Sequence, residues 1–242
     1  MAGRGGSSAH RARGPRGSEQ HEAANGFTWT IVYPECTSAA VGSRKPSATL
    51  EFAQGEALHV PVSVARELSR WEGPEAESRA EVSWRVREAA DKVAWGRLVD
   101  MASRREYSSH EARQRLVRDG FSAACAQRAV DKALRLRIID DARFAESFIR
   151  SKLSVGWGPV RIERELVLRG VEPSEVAGWP DAFFDESGEG GPRERARSLL
   201  ERRSVPDKNA YVKFVRFLVS RGYPLAVAKD AASERLSSGE EE

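Results

Sequence analysis

Two neighbouring stretches in the middle of the chain concentrate basic residues around a tryptophan. They contain Arg143, Arg150, Lys152, Trp157, Arg161, Arg164 and Arg169. Guanidinium and ammonium groups pair with phosphates and carboxylates, and an indole ring can stack on a base or on a partner's side chain. The combination predicts a surface that binds a polyanion or an acidic protein. Two alternatives stay open: the arginines can pair with neighbouring glutamates as solvated surface, and Trp157 can anchor a turn between helices.

An internal repeat predicts the elements that position these residues. The sequence aligns without gaps on Gly120, Gly170 and Gly222, and apolar residues stand 4, 8, 22 and 26 positions before each glycine. Steps of four place side chains on one helix face, and a glycine directly after a helix favours a left-handed stop. Each unit is therefore a helix, a short loop, a second helix ending at the glycine, and a third helix. The predicted fold class is mainly α, with three tandem three-helix repeats that resemble helix-turn-helix modules, and a small β-rich N-terminal unit.

Capping residues agree with these helix positions. Ser108 and Glu111 have the spacing of a capping box, Asp140 can cap a helix that starts near Ala142, and Pro159 suits the first turn of another. Third helices are predicted from Ser122 to about Leu136 and from Pro224 to Leu236. In the second unit the third helix is expected to be short and to break at Trp179-Pro180, before an acidic, glycine-rich linker.

Composition divides the chain further. Residues 1–26 lack apolar periodicity and are predicted to be a disordered tail. Residues 27–78 are predicted to form a β-rich unit with strands at 27–33, 48–52 and 57–61 and a short helix ending at Trp71. The repeats are expected at 79–140, 141–192 and 193–236, with the linker at 181–191 and an acidic tail at 237–242.

Charge and motif content narrow the function classes. Residues 79–169 carry 20 basic and 13 acidic side chains, and residues 193–236 carry 11 and 5, so two basic blocks flank an acidic stretch. Polyanions are plausible partners for such blocks. The four histidines show no metal-ligand spacing, the two cysteines are far apart, and no nucleophile motif is present, so we expect no enzyme, metal or cofactor. The lack of long apolar runs predicts no membrane contact, and the two distant cysteines favour a reduced, cytoplasmic setting.

One string in the second unit resembles a known family. The string comprises Asp140-Asp-Ala-Arg-Phe-Ala145, Gly156-Trp-Gly-Pro159, Arg161-Ile-Glu-Arg-Glu-Leu166 and Arg169-Gly-Val171. Weaker matches to the same pattern occur in the first and third units, at Asp119-Gly-Phe121 and Arg221-Gly-Tyr223. It resembles the RecX family, bacterial regulators of the recombinase RecA, over roughly residues 93–236. The resemblance implies a protein that binds the RecA nucleoprotein filament and depresses its ATP hydrolysis and strand exchange. Single-stranded DNA would be contacted directly or through the filament, and a monomer is expected.

Alternatives to this interpretation are a stand-alone helical module that binds nucleic acid and a helical scaffold for an unrelated protein. Two further basic patches compete with the first as the contact surface: Arg104, Arg105, Arg113, Arg115 and Arg118, and Arg193, Arg195, Arg197, Arg202 and Arg203. Arg161 and Arg164 lie three residues apart on one helix face. Reversal of both charges is expected to abolish inhibition with little loss of stability, because substitutions on the exposed surface cost little.

Overall fold

The computed structural model describes residues 11–13, 17–35, 46–53, 55, 57–186, 190–206 and 208–237. Predictions for residues 1–10 and 238–242 lie outside this part of the chain. The described residues divide into two compact units. The first contains the residues up to Glu106 together with Ala112–Ile139, and the second contains Tyr107–Glu111 and the residues from Asp140 onward.

The first unit begins with an antiparallel sheet whose described strands pair in chain order. The strands are β1 (Arg11–Arg13), β2 (Ser18–Glu22), β3 (Thr28–Val32), β4 (Ser47–Phe52) and β5 (Ala57–Pro61). Alternate residues of β3 and β4 face the core, and the register places Ile31 opposite Leu50. The strands predicted from the β-branched and aromatic runs at 27–33, 48–52 and 57–61 are therefore present.

The prediction of a disordered tail through residue 26 is wrong for residues 11–13 and 17–26. Strand β2 pairs with β3, and a turn at Gly26 joins the two strands. The strand lacks apolar alternation because its inward residue is His21, which is 1% exposed and stacks on Trp29 with 4.1 Å between ring centroids. The Nδ1 atom of His21 lies 3.2 Å from a carboxylate oxygen of Glu75, so a polar side chain fills an apolar position.

Two helices complete the sheet unit and lead into the first repeat. Helix α1 (Val62–Leu68) packs on β4 and β5, and helix α2 (Arg79–Ala102) packs against α1. The Ser78 hydroxyl accepts a 3.2 Å hydrogen bond from the Glu81 amide at the start of α2. Helices α3 (Ser109–Arg118) and α4 (Ala123–Arg135) follow, as the repeat predicted.

The second repeat differs from the prediction in its third helix. Helices α5 (Asp141–Ser154) and α6 (Pro159–Leu168) are followed by a 3-10 turn at Pro173–Glu175 and by α7 (Asp181–Glu186). Part of the predicted linker is therefore helical and belongs to the core, because Phe183 and Phe184 are buried against α5 and α6. These two adjacent phenylalanines supply the apolar area that packs α7 on the core, although their neighbours in sequence are mostly acidic.

The third repeat has the predicted arrangement of helices. It contains α8 (Pro192–Glu201), α9 (Ala210–Arg221) and α10 (Leu225–Ser237), whose buried face includes Leu200, Phe214 and Leu218. The three aligned glycines all have positive φ angles, of 98° at Gly120, 74° at Gly170 and 92° at Gly222. The glycine alignment therefore correctly predicted where the second helix of each repeat ends.

Candidate partner-binding site

The turn between α5 and α6 brings the predicted basic residues together. Asp140 caps α5, since its Oδ1 atom accepts 3.1 Å hydrogen bonds from the amides of Ala142 and Arg143. At the other end of α5, the Trp157 amide donates a 3.0 Å hydrogen bond to the Lys152 carbonyl. Pro159 then opens α6 in its first turn, where a missing N–H leaves no helical hydrogen bond unmade.

Four of the seven candidate residues form a cluster around two aromatic rings. Phe148 and Trp157 lie edge to face with 6.4 Å between their centroids. The Lys152 ammonium lies about equally far from both rings, at 5.2 and 5.1 Å. The Arg161 guanidinium lies 3.9 Å above Trp157, and that of Arg169 lies 4.8 Å from the centre of Phe148. We call these five residues the Phe148–Trp157 cluster.

Within the cluster, Arg169 is held by internal contacts. Its guanidinium forms an ion pair with Glu165 on the preceding turn and lies 3.4 Å from a carboxylate oxygen of Glu111. Its backbone carbonyl accepts a 2.6 Å hydrogen bond from the Ser108 hydroxyl. Arg169 therefore joins the start of α3 to the end of α6, and its charge is already matched by two carboxylates.

Arg161 has a comparable role at the other end of α6. Besides stacking on Trp157, its Nη1 atom donates a 3.3 Å hydrogen bond to the Ser220 carbonyl near the end of α9. The same helix ends are joined by hydrogen bonds from the amides of Gly158 and Val160 to the carbonyls of Arg221 and Gly222, at 2.8 and 3.1 Å. These contacts revise the expectation for Arg161, whose reversal is now expected to weaken the fold.

The two helix junctions are equivalent. A methyl group on Gly170 would lie 2.5 Å from the Cβ atom of His110, and one on Gly222 would lie 2.2 Å from the Cβ atom of Arg161. His110 and Arg161 are the second or third residues of α3 and α6. The glycine that ends one second helix therefore touches the start of the second helix of the preceding repeat, which explains why that position must lack a side chain.

The remaining candidate residues are exposed and lie apart from the cluster. Arg143 lies on the first turn of α5, and the Arg150 guanidinium lies 5.9 Å from the centre of the Phe183 ring. Arg164 points outward from α6 and forms no hydrogen bond or ion pair with any described residue. Of the seven predicted residues, Arg164 is thus the one without a hydrogen bond, ion pair or ring contact in the part of the chain that the structure describes.

The second and third basic patches are largely occupied by internal contacts. In the second patch, Arg104 pairs with Asp100 at 2.9 Å and Arg115 with Asp119 at 3.7 Å. Further pairs join Arg193 to Asp230 and Arg197 to Glu201 in the third patch. Arg195 of that patch is 5% exposed and donates a 2.7 Å hydrogen bond to the Leu153 carbonyl. Charge density along the sequence therefore overstates the number of arginines available to a partner.

The described residues supply no constellation typical of a catalytic centre. A cleft beside α2 and α4 is lined by Trp95 and by both acidic and basic side chains, of which Arg128 pairs with Asp91 at 2.7 Å. Burial, followed by the nearby Asp91 carboxylate, raises the pKa of the Cys125 thiol to about 12, so it is protonated at neutral pH. No group of metal-ligating side chains and no helix suited to cross a bilayer occurs in the described residues.

Comparison with known proteins identifies the family. The model of the second three-helix domain of RecX matches residues 140–177, which contain α5, the turn and α6. The regulatory protein RecX of Stenotrophomonas maltophilia strain R551-3 is 33% identical over 119 residues, which cover 49% of this chain and 70% of that protein. Its counterpart in Halorhodospira halophila is 31% identical over 152 residues, covering 60% of this chain and 89% of the other. The chain belongs to the RecX family.

The alignments with the two RecX relatives, over 119 and 152 residues, are longer than the stretch 140–177 that the family model matches. A crystal structure of regulatory protein RecX overlaps 79% of this chain and 95% of its own chain, with 18% identity and a TM-score of 0.49. The relatives are named regulatory proteins, so this RecX-family chain is related to regulators.

Sequence reasoning named Arg164 but missed the exposed valines beside it and the equivalent residues on the second helix of the third repeat. Val160 and Val167 flank Arg164 on α6, and Val212 and Val219 flank Arg216 on α9. All four valines are substantially exposed. The alignment on Gly170 and Gly222 could have found them, because the three residues of each set stand 10, 6 and 3 positions before their glycine.

Proposed function

We propose that this protein is a non-enzymatic regulator that binds a RecA-type recombinase filament and depresses its ATP hydrolysis and strand exchange. The observation that carries the proposal is membership of the RecX family, whose relatives are named regulatory proteins. The protein acts where the recombinase does, in the cytoplasm, as a monomer. It meets single-stranded DNA directly or through the filament.

The arrangement of the second and third repeats supports binding to a repeating partner. The Gly222 contact and two backbone hydrogen bonds join α6 to α9, so the second and third repeats offer the same helix in a fixed relation to each other. Several weak contacts held in this way add up to strong binding when the partner repeats as well. A filament of identical subunits is such a partner, whereas a single globular protein offers only one copy of each surface.

The test is DNA-dependent ATP hydrolysis by the recombinase of the same bacterium on single-stranded DNA. We expect hydrolysis to fall when this protein is added at well below one molecule per recombinase subunit, at fixed salt. Titration of extra single-stranded DNA is the control, because a protein that only sequesters DNA loses its effect once DNA is in excess.

Two results would contradict the proposal. Unchanged hydrolysis at equimolar protein would exclude regulation of the filament. Inhibition that disappears in proportion to added DNA would favour the alternative of a stand-alone nucleic-acid-binding module, whose affinity should also fall steeply with salt.

A further inference from the structure

The outer faces of α6 and α9 carry the same three residue types at the same places. Counted back from the glycine that ends each helix, valine stands at 10, arginine at 6 and valine at 3. The two sets are Val160, Arg164 and Val167, and Val212, Arg216 and Val219. Spacings of four and three place each set along one side of its helix. We call them the Val–Arg–Val faces.

Neither face is used to build the core. The four valines are between 44% and 52% exposed, whereas the opposite sides of the helices bury residues such as Ile162 and Leu218 completely. Exposed valines in the same register on two successive repeats form a patterned apolar surface. Single exposed apolar residues are normal on a protein surface, but their repetition at the same places on two helices is not expected of scattered positions.

The arginine at the centre of each face has no partner among the described residues. Arg164 and Arg216 are both exposed, and neither forms a hydrogen bond or ion pair with any described residue. Other arginines on these helices behave differently, since Arg161 bonds to the Ser220 carbonyl and Arg221 to the Val155 carbonyl at 2.5 Å. A guanidinium between two valines fits a carboxylate that is surrounded by apolar side chains.

The junction between α6 and α9 fixes the two faces relative to each other. Amides at the start of α6 donate to the carbonyls of Arg221 and Gly222 at the end of α9. Val160 and Val219 lie within one turn of the joined ends. These hydrogen bonds therefore hold the two Val–Arg–Val faces in a fixed relation to each other.

We propose that the two Val–Arg–Val faces are copies of a single docking site, and that each takes an apolar protein patch with one carboxylate on consecutive subunits of the filament. This inference rests on the proposed function and names the residues and chemistry of the contact. The occupant is protein and not nucleic acid, because a phosphate backbone offers no apolar surface for the valines. The aligned residues in the first repeat are His110, Gln114 and Val117, so that repeat lacks the site.

The experiment measures binding of the full-length protein to recombinase filaments on single-stranded DNA by co-sedimentation. The variants are Arg164→Glu, Arg216→Glu and the double variant, and the matched control is Lys229→Glu. Lys229 is an exposed base on a different helix, α10, without an ion pair to a described residue, so its reversal changes the net charge by the same amount as each single variant.

We expect each single reversal to weaken filament binding at least tenfold and the double reversal to abolish it, with Lys229→Glu close to the unchanged protein. Loss of one face should reduce the affinity more than loss of an isolated contact would, because the remaining face then binds alone and without avidity. At saturation, the unchanged protein should occupy at least two recombinase subunits. Val160→Ser with Val167→Ser should weaken binding without changing its dependence on salt.

Other outcomes would overturn the inference in distinguishable ways. Full filament binding by the double variant would exclude the Val–Arg–Val faces while leaving the proposed function intact. Loss of affinity for free single-stranded DNA in the same variant, with a reduced salt slope, would show that the occupant is a phosphate backbone. If the unchanged protein neither binds filaments nor lowers ATP hydrolysis, the proposed function fails as well.

Discussion

The junction between α6 and α9 and the outward faces of the same helices use similar residues for different purposes. At the junction, Arg161 stacks on Trp157 and bonds to the Ser220 carbonyl, with its backbone against Gly222. One turn further along α6, Arg164 is exposed and contacts no described acceptor. Two arginines of one helix therefore differ in role: Arg161 joins the repeats, whereas Arg164 stays exposed.

The largest expected effect comes from a side chain at the junction glycine. In Gly222→Ala the new methyl group would lie 2.2 Å from Arg161 Cβ and 2.6 Å from its amide nitrogen, at a φ of 92°. Left-handed strain together with overpacking should lower the free energy of unfolding by about 3 kcal/mol. Urea denaturation followed by circular dichroism measures the change.

Gly120→Ala is the matched control for that prediction. Gly120 has a similar φ of 98°, but the nearest atom to its new methyl group would be Pro61 Cγ at 3.4 Å. Its cost should be limited to the backbone strain, about 1–2 kcal/mol. Equal losses in the two variants would mean that the close approach of the helices contributes nothing.

A smaller loss is expected at the buried arginine of α8. Arg195→Met removes the donor to the Leu153 carbonyl from a side chain that is 5% exposed. The Leu153 carbonyl still accepts a 2.9 Å hydrogen bond from the Gly156 amide, so loss of the Arg195 donor should cost about 1 kcal/mol in a chemical denaturation experiment. Arg197→Met, two residues away on the exposed side, should stay within about 0.5 kcal/mol of the unchanged protein.

Charge reversal at Arg161 and at Arg164 compares the two arginines of α6 directly. Arg161→Glu loses the stack on Trp157 and places a carboxylate beside the Ser220 carbonyl, so stability should fall by about 1 kcal/mol. The melting temperature of Arg161→Glu is to be compared with that of Arg164→Glu. If Arg161→Glu melted at the same temperature as the unchanged protein, Arg161 would not stabilise the junction.

The reactivity of the Cys125 thiol can be measured in a Cys36→Ser background. With its pKa raised to about 12, the thiolate population at pH 8 is on the order of one in ten thousand. Iodoacetamide should therefore label the folded protein far more slowly than the urea-unfolded protein. Comparable rates in the two states would show that Cys125 is accessible and ionised.

How far the sequence predicts this structure depends on what fills each buried position. Leu116, Leu166 and Leu218 repeat at four residues before a glycine, so the second helices and their ends could be predicted closely. Strand β2 was missed because its inward residue is His21, and α7 was missed because Phe183 and Phe184 stand among acidic residues. Both elements depend on a few contacts distant in sequence, which periodicity does not report.

The sequence predicted which residue types surround Trp157, but not which of them form internal contacts. Basic and aromatic types around Trp157 are indeed clustered, yet Arg161 and Arg169 are engaged in holding helix ends together. A sequence gives the residue types on a helix, but the packing of neighbouring repeats decides which arginines stay exposed. The glycine alignment gives the residue types of the Val–Arg–Val faces, and only the structure gives their exposure.

The most direct test of this division measures stability and inhibition on the same double variant. Arg164→Glu with Arg216→Glu should melt within about 1 °C of the unchanged protein, because exposed substitutions scarcely affect folding. The same variant should no longer depress ATP hydrolysis by the recombinase at concentrations where the unchanged protein and Lys229→Glu inhibit fully. Full inhibition by a stable double variant would contradict the account, because the outward faces would then have no part in binding.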